Sequence, residues 1–251
     1  MKKNKLIFVL VFVFFSYQYA FANLPPLPEK LNYGLVKYQI KDKKSGKIGT
    51  YTQTEIKKLG KNKFEVWVKA QNSDKTTFKI KTLFEQTDHL ISKESSLEFR
   101  GPQNQLGAIF QVKFLDKEVK VTDSRDSKKL WKKKVGEPLY LSENLGLGLI
   151  GNPVLKDVQA TTLVVGTGIF KVRVKNLGEE TVTVPGGTFD CYKLKIIPDL
   201  GLLDKPLGRA MPGIFVWQDK KFPHLPVKYE GPMDVPTRPA VLAEMIGVEY
   251  K

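Results

Sequence analysis

Residues 181–197 read TVTVPGGTFDCYKLKII. Val182 and Val184 alternate with threonines, Pro185-Gly186-Gly187 interrupts, and Tyr192, Leu194 and Ile196 then alternate with Lys193 and Lys195. Apolar residues at every second position mark a half-buried strand, because successive side chains point to opposite faces of a sheet. Proline presets φ at the first turn position and glycine tolerates a positive φ, so Gly186 or Gly187 is expected to adopt one. The stretch predicts a β-hairpin.

The same period extends outward from it. Tyr51 to Ile56, Phe64/Val66/Val68, Phe110/Val112/Phe114 and Phe170/Val172/Val174 mostly alternate with polar or charged neighbours. Turn-forming stretches separate these runs, among them Ser45-Gly46, Leu59 to Asn62, Asn72 to Asp74, Gly101-Pro102 and Leu177-Gly178. Short strands and frequent turns predict an antiparallel meander. Leu139 to Ile150 is the best helical stretch, with Ser142-Glu143 as its cap and Gly151-Asn152-Pro153 as its stop. Residues 198–239 hold eight of the fifteen prolines and are expected to be loop-rich, with short strands near Ile214 to Trp217 and Val227 to Glu230. A last strand runs from Val241 to Tyr250. The expected fold is mainly β: an antiparallel, strongly curved sheet, a half-barrel, with one or two short helices.

At the N-terminus, Lys2, Lys3 and Lys5 precede a ten-residue apolar run from Leu6 to Phe15, and Ala20-Phe21-Ala22 follows. A basic start, an apolar centre and an A-x-A site describe a secretory signal peptide cleaved after Ala22. Ten apolar residues fall short of the roughly 20 that span a bilayer. The expected organisation is therefore a signal peptide at 1–22, a Pro-rich lead-in at 23–30 and a single β-rich domain at 31–251, located in the periplasm.

The chain carries 41 Lys+Arg against 26 Asp+Glu, a net charge of +15 that cleavage would lower to +12. Only five of the basic residues are arginine. Lysine is a hydrated point charge and a poor bidentate reader, so this charge describes a solvated surface better than a set of anion forks. Export makes nucleic acid an unsuitable partner and leaves anionic lipid headgroups or acidic glycans, with peripheral membrane contact. Cys191 is the single cysteine, which excludes a disulfide scaffold and reads as a small buried hydrophobe.

Sites of chemistry are sparse. Gly146-Leu147-Gly148-Leu149-Ile150-Gly151 matches the dinucleotide fingerprint by letter, but no βαβ unit surrounds it and Asn152-Pro153 ends the element. His89, His224 and Cys191 lack ligand spacing for a metal, and no nucleophile elbow is present. Glu179 and Glu180 are adjacent and point to opposite faces of a strand. No catalytic residue, metal or cofactor is expected. The positive constellation is aromatic and aliphatic: Phe110, Val112, Phe114, Phe170, Val172, Val174 and Trp217 are the candidate ligand-binding residues of a concave apolar face.

The hairpin residues Thr181 to Phe189, the acidic Glu180 before them, Phe215-Val216-Trp217 and Leu225-Pro226-Val227-Lys228-Tyr229 together resemble the exported bacterial family catalogued as domain of unknown function 3108. The resemblance implies an envelope protein similar to lipoprotein-carrier half-barrels, without an established reaction. Pro185, Gly187, Thr188, Trp217 and Pro226 then have architectural roles. The leading expectation is a non-enzymatic envelope protein that binds a lipid or other hydrophobic ligand in a concave cleft. An interaction scaffold with a filled core is the alternative, and a cell-wall or glycan hydrolase the third.

Overall fold

Fifteen strands follow one another in the computed structural model, which describes residues 34–87, 90–115, 117–135, 139–141, 149–150, 152–164, 168–199, 213–232 and 240–249. The signal and lead-in segments, His89 and the fingerprint glycines lie outside these residues. The strands are β1 (Leu35–Asp42), β2 (Ile48–Lys58), β3 (Lys63–Asn72), β4 (Thr77–Gln86), β5 (Leu90–Arg100), β6 (Leu106–Phe114), β7 (Glu118–Asp123) and β8 (Asp126–Lys134). They continue as β9 (Leu139–Leu141), β10 (Val158–Val164), β11 (Gly168–Val184), β12 (Gly187–Asp199), β13 (Ile214–Asp219), β14 (Pro226–Pro232) and β15 (Ala240–Glu249).

All fifteen form one sheet in the order β8-β7-β6-β5-β4-β3-β2-β1-β15-β14-β13-β12-β11-β10-β9. Two meanders, β1 to β8 and β10 to β15, are joined where β1 pairs antiparallel with β15. The edges β8 and β9 are not paired with each other, so the sheet is not closed into a barrel.

It is nevertheless rolled, and chain length requires this. Four residues, 135–138, carry the chain from β8 at one edge to β9 at the other. Extended chain covers at most ~3.6 Å per residue, so the link reaches roughly 18 Å. Fifteen strands laid flat at ~4.8 Å spacing would separate the edges by about 67 Å. The roll brings Cα atoms of β9 and β5 within 8 Å, although β5 lies eleven places away in the strand order.

Alternation then sorts the side chains. The inner face carries Val36, Tyr38 and Ile40 of β1, Phe64, Val66 and Val68 of β3, Phe78, Ile80 and Phe84 of β4, and Val216, Tyr229 and Ala243 of β13 to β15, all buried in one cluster. Phe64, Ile80 and Phe84 are almost wholly excluded from water, each burial contributing about 1.5–3 kcal/mol. On β9 and β10, Leu139, Thr161 and Leu163 are buried at positions of the opposite parity to Val172 and Val174. Burial on the second face is what a rolled sheet produces where one end laps the other.

One expectation needs correction. Leu139 to Leu141, the opening of the anticipated helix, is a strand that pairs parallel with Thr161 to Leu163. Residues 142–148 lie outside the described ones, and helical geometry among the described residues is confined to a tight turn at Leu149–Ile150. The short apolar Leu-Tyr-Leu run carries no period of its own, and its strand partner is distant in sequence. The hairpin at 181–197 is present as β11 and β12, and the expected positive φ, +134°, is adopted by Gly187. Gly186 is needed for close approach: its N–H donates to the Met245 carbonyl at 2.9 Å, and an added Cβ would stand 2.9 Å from that oxygen. The hairpin tip therefore reaches β15 across β13 and β14, with Val182 and Val184 buried and Thr181 and Thr183 exposed.

Both Gly187→Val and Gly186→Val are expected to destabilise by roughly 1 kcal/mol or more, the first through backbone strain and the second through collision with β15. Urea unfolding of the two variants checks this. A parent-like midpoint for Gly186→Val would show that the tip does not dock on β15.

Candidate functional site

The inner face divides into a filled half and a polar-studded half. The filled half lies under β11 to β14. Residues 149–150 and 152–154 are not part of any strand, yet Leu149, Ile150 and Val154 are buried in the core cluster. Irregular backbone in a core exposes peptide groups that need partners. Gln218 of β13, itself fully buried, supplies them. Its Nε2 donates to the carbonyls of Leu149 and Asn152, each at 2.8 Å, and its Oε1 accepts from Val154 N–H at 3.0 Å. Asn176 of β11 adds a bond from Nδ2 to the Val154 carbonyl at 2.7 Å. A carboxamide has both donors and an acceptor, so one side chain can pin a strand-like segment in both directions.

The other half lies under β1 to β5. Most of its inward positions are large and apolar, but β2 contributes Thr50, Thr52 and Thr54 before Ile56. Thr50 Oγ1 donates to Asn72 Oδ1 at 2.7 Å, and Thr82 and Ser95 share a hydrogen bond of 2.8 Å. The hydroxyls of Thr52, Thr54 and Ser92 are buried without a hydrogen-bond partner among the described residues. Each such orphan costs on the order of 1–3 kcal/mol. Ala70 faces Thr52 across the β2–β3 pair, so small side chains sit together at this point of the wall. Tyr38 borders them. Burial pushes its phenol well above the usual range, and its hydroxyl donates to the Pro226 carbonyl at 2.9 Å.

The residues singled out in the sequence are distributed as follows. Val112, Val172 and Val174 are buried on the inner face, and Phe110 and Phe114 are half-buried beside the same cluster. The side chain of Phe170 is outside the described ones; its backbone pairs with Thr162. The two trios are not neighbours in the sheet, because β6 and β11 stand ten places apart in the strand order. Trp217 is on the other face. Val216 pairs with Leu194 and Tyr229 of the core, so Trp217 points outward with Lys193 and Lys228, whose ammonium groups lie 5.1 and 4.5 Å from its ring centre. It is 3% exposed because these lysine stems and Phe215 cover it, and so it cannot line the concavity.

Sequence reasoning passed over Gln218 and the β2 threonines. The signal for the threonines was present: a central strand whose inward positions are Thr, Thr, Thr breaks the Val/Ile pattern of its neighbours. Gln218 had none, since a Gln after Trp reads as an exposed strand end. Elsewhere the chemistry is quiet. Among the described residues no group of three His, Cys, Asp or Glu could hold a metal, and no helix is long and apolar enough to cross a membrane. Burial pushes the Cys191 thiol up to about 12, with Asp219 and Asp190 adding to the effect. On the outer face, the Lys193 ammonium, 2.8 Å from Glu180, holds that carboxyl below its ordinary range.

Comparison with known proteins adds the fold. No family model matches the chain, and no curated protein matches it. A β-barrel-like protein of domain of unknown function DUF1849 from Brucella abortus superposes with a TM-score of 0.52 at 10% identity, over 91% of this chain and 99% of that one. A protein from Bacteroides fragilis described as exported, with a YmcC-like fold, gives a TM-score of 0.37 at 9% identity, over 92% of this chain and 100% of that one. A protein from Parabacteroides distasonis described as a lipoprotein gives 0.31 at 10% identity, again over 92% and 100%. Of the three, the first is close enough to establish a shared β-barrel-like fold, and it carries no activity with it.

Gln218→Leu is expected to destabilise by roughly 3 kcal/mol, because the Leu149 and Asn152 carbonyls and the Val154 N–H lose their partner together. Urea unfolding measures the loss, and limited proteolysis should cut the variant first within 149–154. Cys191 should resist a thiol reagent at pH 8 in the folded protein and react on unfolding; reaction at the same rate in both states would contradict its burial.

Proposed function

We propose that the protein is a non-enzymatic envelope protein that holds an amphiphilic, lipid-like ligand against the inner face of β1 to β5. The observation that carries this reading is the pair of buried hydroxyls on Thr52 and Thr54 of β2, which have no hydrogen-bond partner among the described residues, with a third such hydroxyl, Ser92, three strands away on β5. Native cores leave few such groups, and those that remain call for a partner. An acyl chain satisfies the phenylalanine and valine surface, while a carboxyl or ester oxygen satisfies the hydroxyls of Thr52 and Thr54. Export through the 1–22 signal, residence in the periplasm and kinship with family 3108 belong to the same proposal; they rest on the N-terminal pattern and on the hairpin residues.

A scaffold with a filled core is the second reading, favoured by the way residues 149–154 occupy the half under β11 to β14. The two readings part at β2. Thr52→Val combined with Thr54→Val removes two orphaned hydroxyls at nearly constant volume. Without ligand, the variant should be about 1 kcal/mol or more stabler than the parent, because an unmet polar group no longer has to be buried. If the hydroxyls hold a ligand, the same variant should bind a fluorescent fatty acid at least tenfold more weakly. Native mass spectrometry of the protein purified from its own cells supplies the complementary result. A bound lipid supports the carrier, whereas a mass equal to the chain alone, with no fatty-acid binding by the parent, leaves the scaffold.

A further inference from the structure

The polar side chains buried on β2, β4 and β5 are Thr50, Thr52, Thr54, Thr82, Ser92 and Ser95, and every one of them is a hydroxyl. Charge is kept off this face. Lysines within the same strands, Lys41, Lys57, Lys69 and Lys81 among them, alternate onto the outer face, and no lysine, arginine or histidine is buried among the described residues. Glu244 is the one buried charged residue among them, and it too lies outward. Register sets it opposite Gln39 and Lys228, and the Lys41 ammonium stands 2.7 Å from its carboxylate.

Thr52 and Thr54 stand in the middle of β2, about 7 Å apart at ~3.4 Å per residue, so one polar group can lie between them. Their inward neighbours in register are Tyr38 and Ala70 for Thr52, and Val36 and Val68 for Thr54. The Tyr38 hydroxyl is already given to the Pro226 carbonyl, and the other three are apolar. A carboxylate or phosphate brought to this point would lose its hydration and meet no countercharge, which disfavours it strongly. An ester or an alcohol asks for less. Its oxygen accepts one or two hydrogen bonds, and a threonine hydroxyl both donates and accepts, so Thr52 and Thr54 can meet it without any charge. Burial of both hydroxyls, 3% and 7% exposed, places this contact inside the wall and not at a rim where water could solvate an ion.

We infer that the group held at Thr52 and Thr54 is the uncharged head of a neutral lipid, a fatty ester or fatty alcohol, and that ionised headgroups are selected against. This rests on the carrier reading and narrows its ligand. Competition against a pyrene-labelled fatty alcohol on the intact protein tests it, with four competitors that share one chain: methyl oleate, oleyl alcohol, oleate and oleyl phosphate. At pH 8 a carboxyl group is ionised. Methyl oleate and oleyl alcohol should then displace the reporter at concentrations at least about tenfold below those needed for oleate or oleyl phosphate. Thr52→Val combined with Thr54→Val should weaken methyl oleate and oleyl alcohol about tenfold and leave the hydrocarbon octadecene unchanged, since only the polar contact is removed. Oleate or oleyl phosphate competing as well as the neutral pair would overturn the inference and leave the carrier reading standing, because a lipid would still be bound. Full competition by methyl oleate in the double variant would overturn it as well, by showing that the head lies elsewhere. A parent that binds neither the reporter nor any competitor would remove the carrier reading itself, and this inference with it.

Discussion

Four residues between β8 and β9 constrain everything else in this molecule. They join opposite edges of a fifteen-strand sheet, and no flat or gently twisted sheet can be spanned by so short a link. Rolling brings the edges together and at the same time solves a second problem. A sheet with almost no helix has nothing else to cover its apolar face, so it must cover that face with itself. The parallel pairing of β9 with β10 follows from the same constraint, because β9 enters from the far edge and not from a hairpin.

Rolling leaves an interior that alternation alone cannot fill. Under β11 to β14 the chain fills it with irregular backbone, which would be costly without Gln218. A hydrophobic residue there would pack as well and leave three peptide groups unmet, so a buried carboxamide is the more stable choice despite its polarity. Under β2 the opposite holds: the hydroxyls of Thr52 and Thr54 are buried and meet no partner among the described residues. The two halves of one face thus handle polarity differently, one by internal satisfaction and one by leaving groups available.

Period two made most of the fold legible. Strands near 64–68, 110–114, 192–196, 214–217 and 227–230 appear where their alternation places them, because each has one face in the core and one in water. What escaped was information that lies between distant residues. Leu139 to Leu141 has too few residues to show a period, and its partner is β10. The helix stop at Asn152-Pro153 marks instead the buried segment that Gln218 holds. Trp217 was assigned by its aromaticity, although Val216 and Ile214 already claim the inward parity on β13; a tryptophan at the outward position can be buried just as fully by lysine stems. In the hairpin the turn was legible and the docking of its tip was not, since Gly186 owes its identity to Met245, far along the chain.

The lysine excess can also be read through alternation. On a rolled sheet most outward positions face solvent, and polar residues there need only be soluble; a mixture of Lys and Glu in register would serve and would gain ion pairs. Much of the outer face is built this way, as Lys41 with Glu244 and Lys193 with Glu180 illustrate. Trp67 shows the tolerance of that arrangement, holding three lysine ammonium groups within 6 Å of its ring while Glu65 bonds its indole N–H. The mixture continues to the β6–β8 edge, where Glu94 stands opposite Lys113, and Glu118 stands opposite Lys134 and 2.8 Å from Lys120. On the open edge strand β8, Lys132, Lys133 and Lys134 have a second use, since hydrated ammonium groups repel an incoming strand.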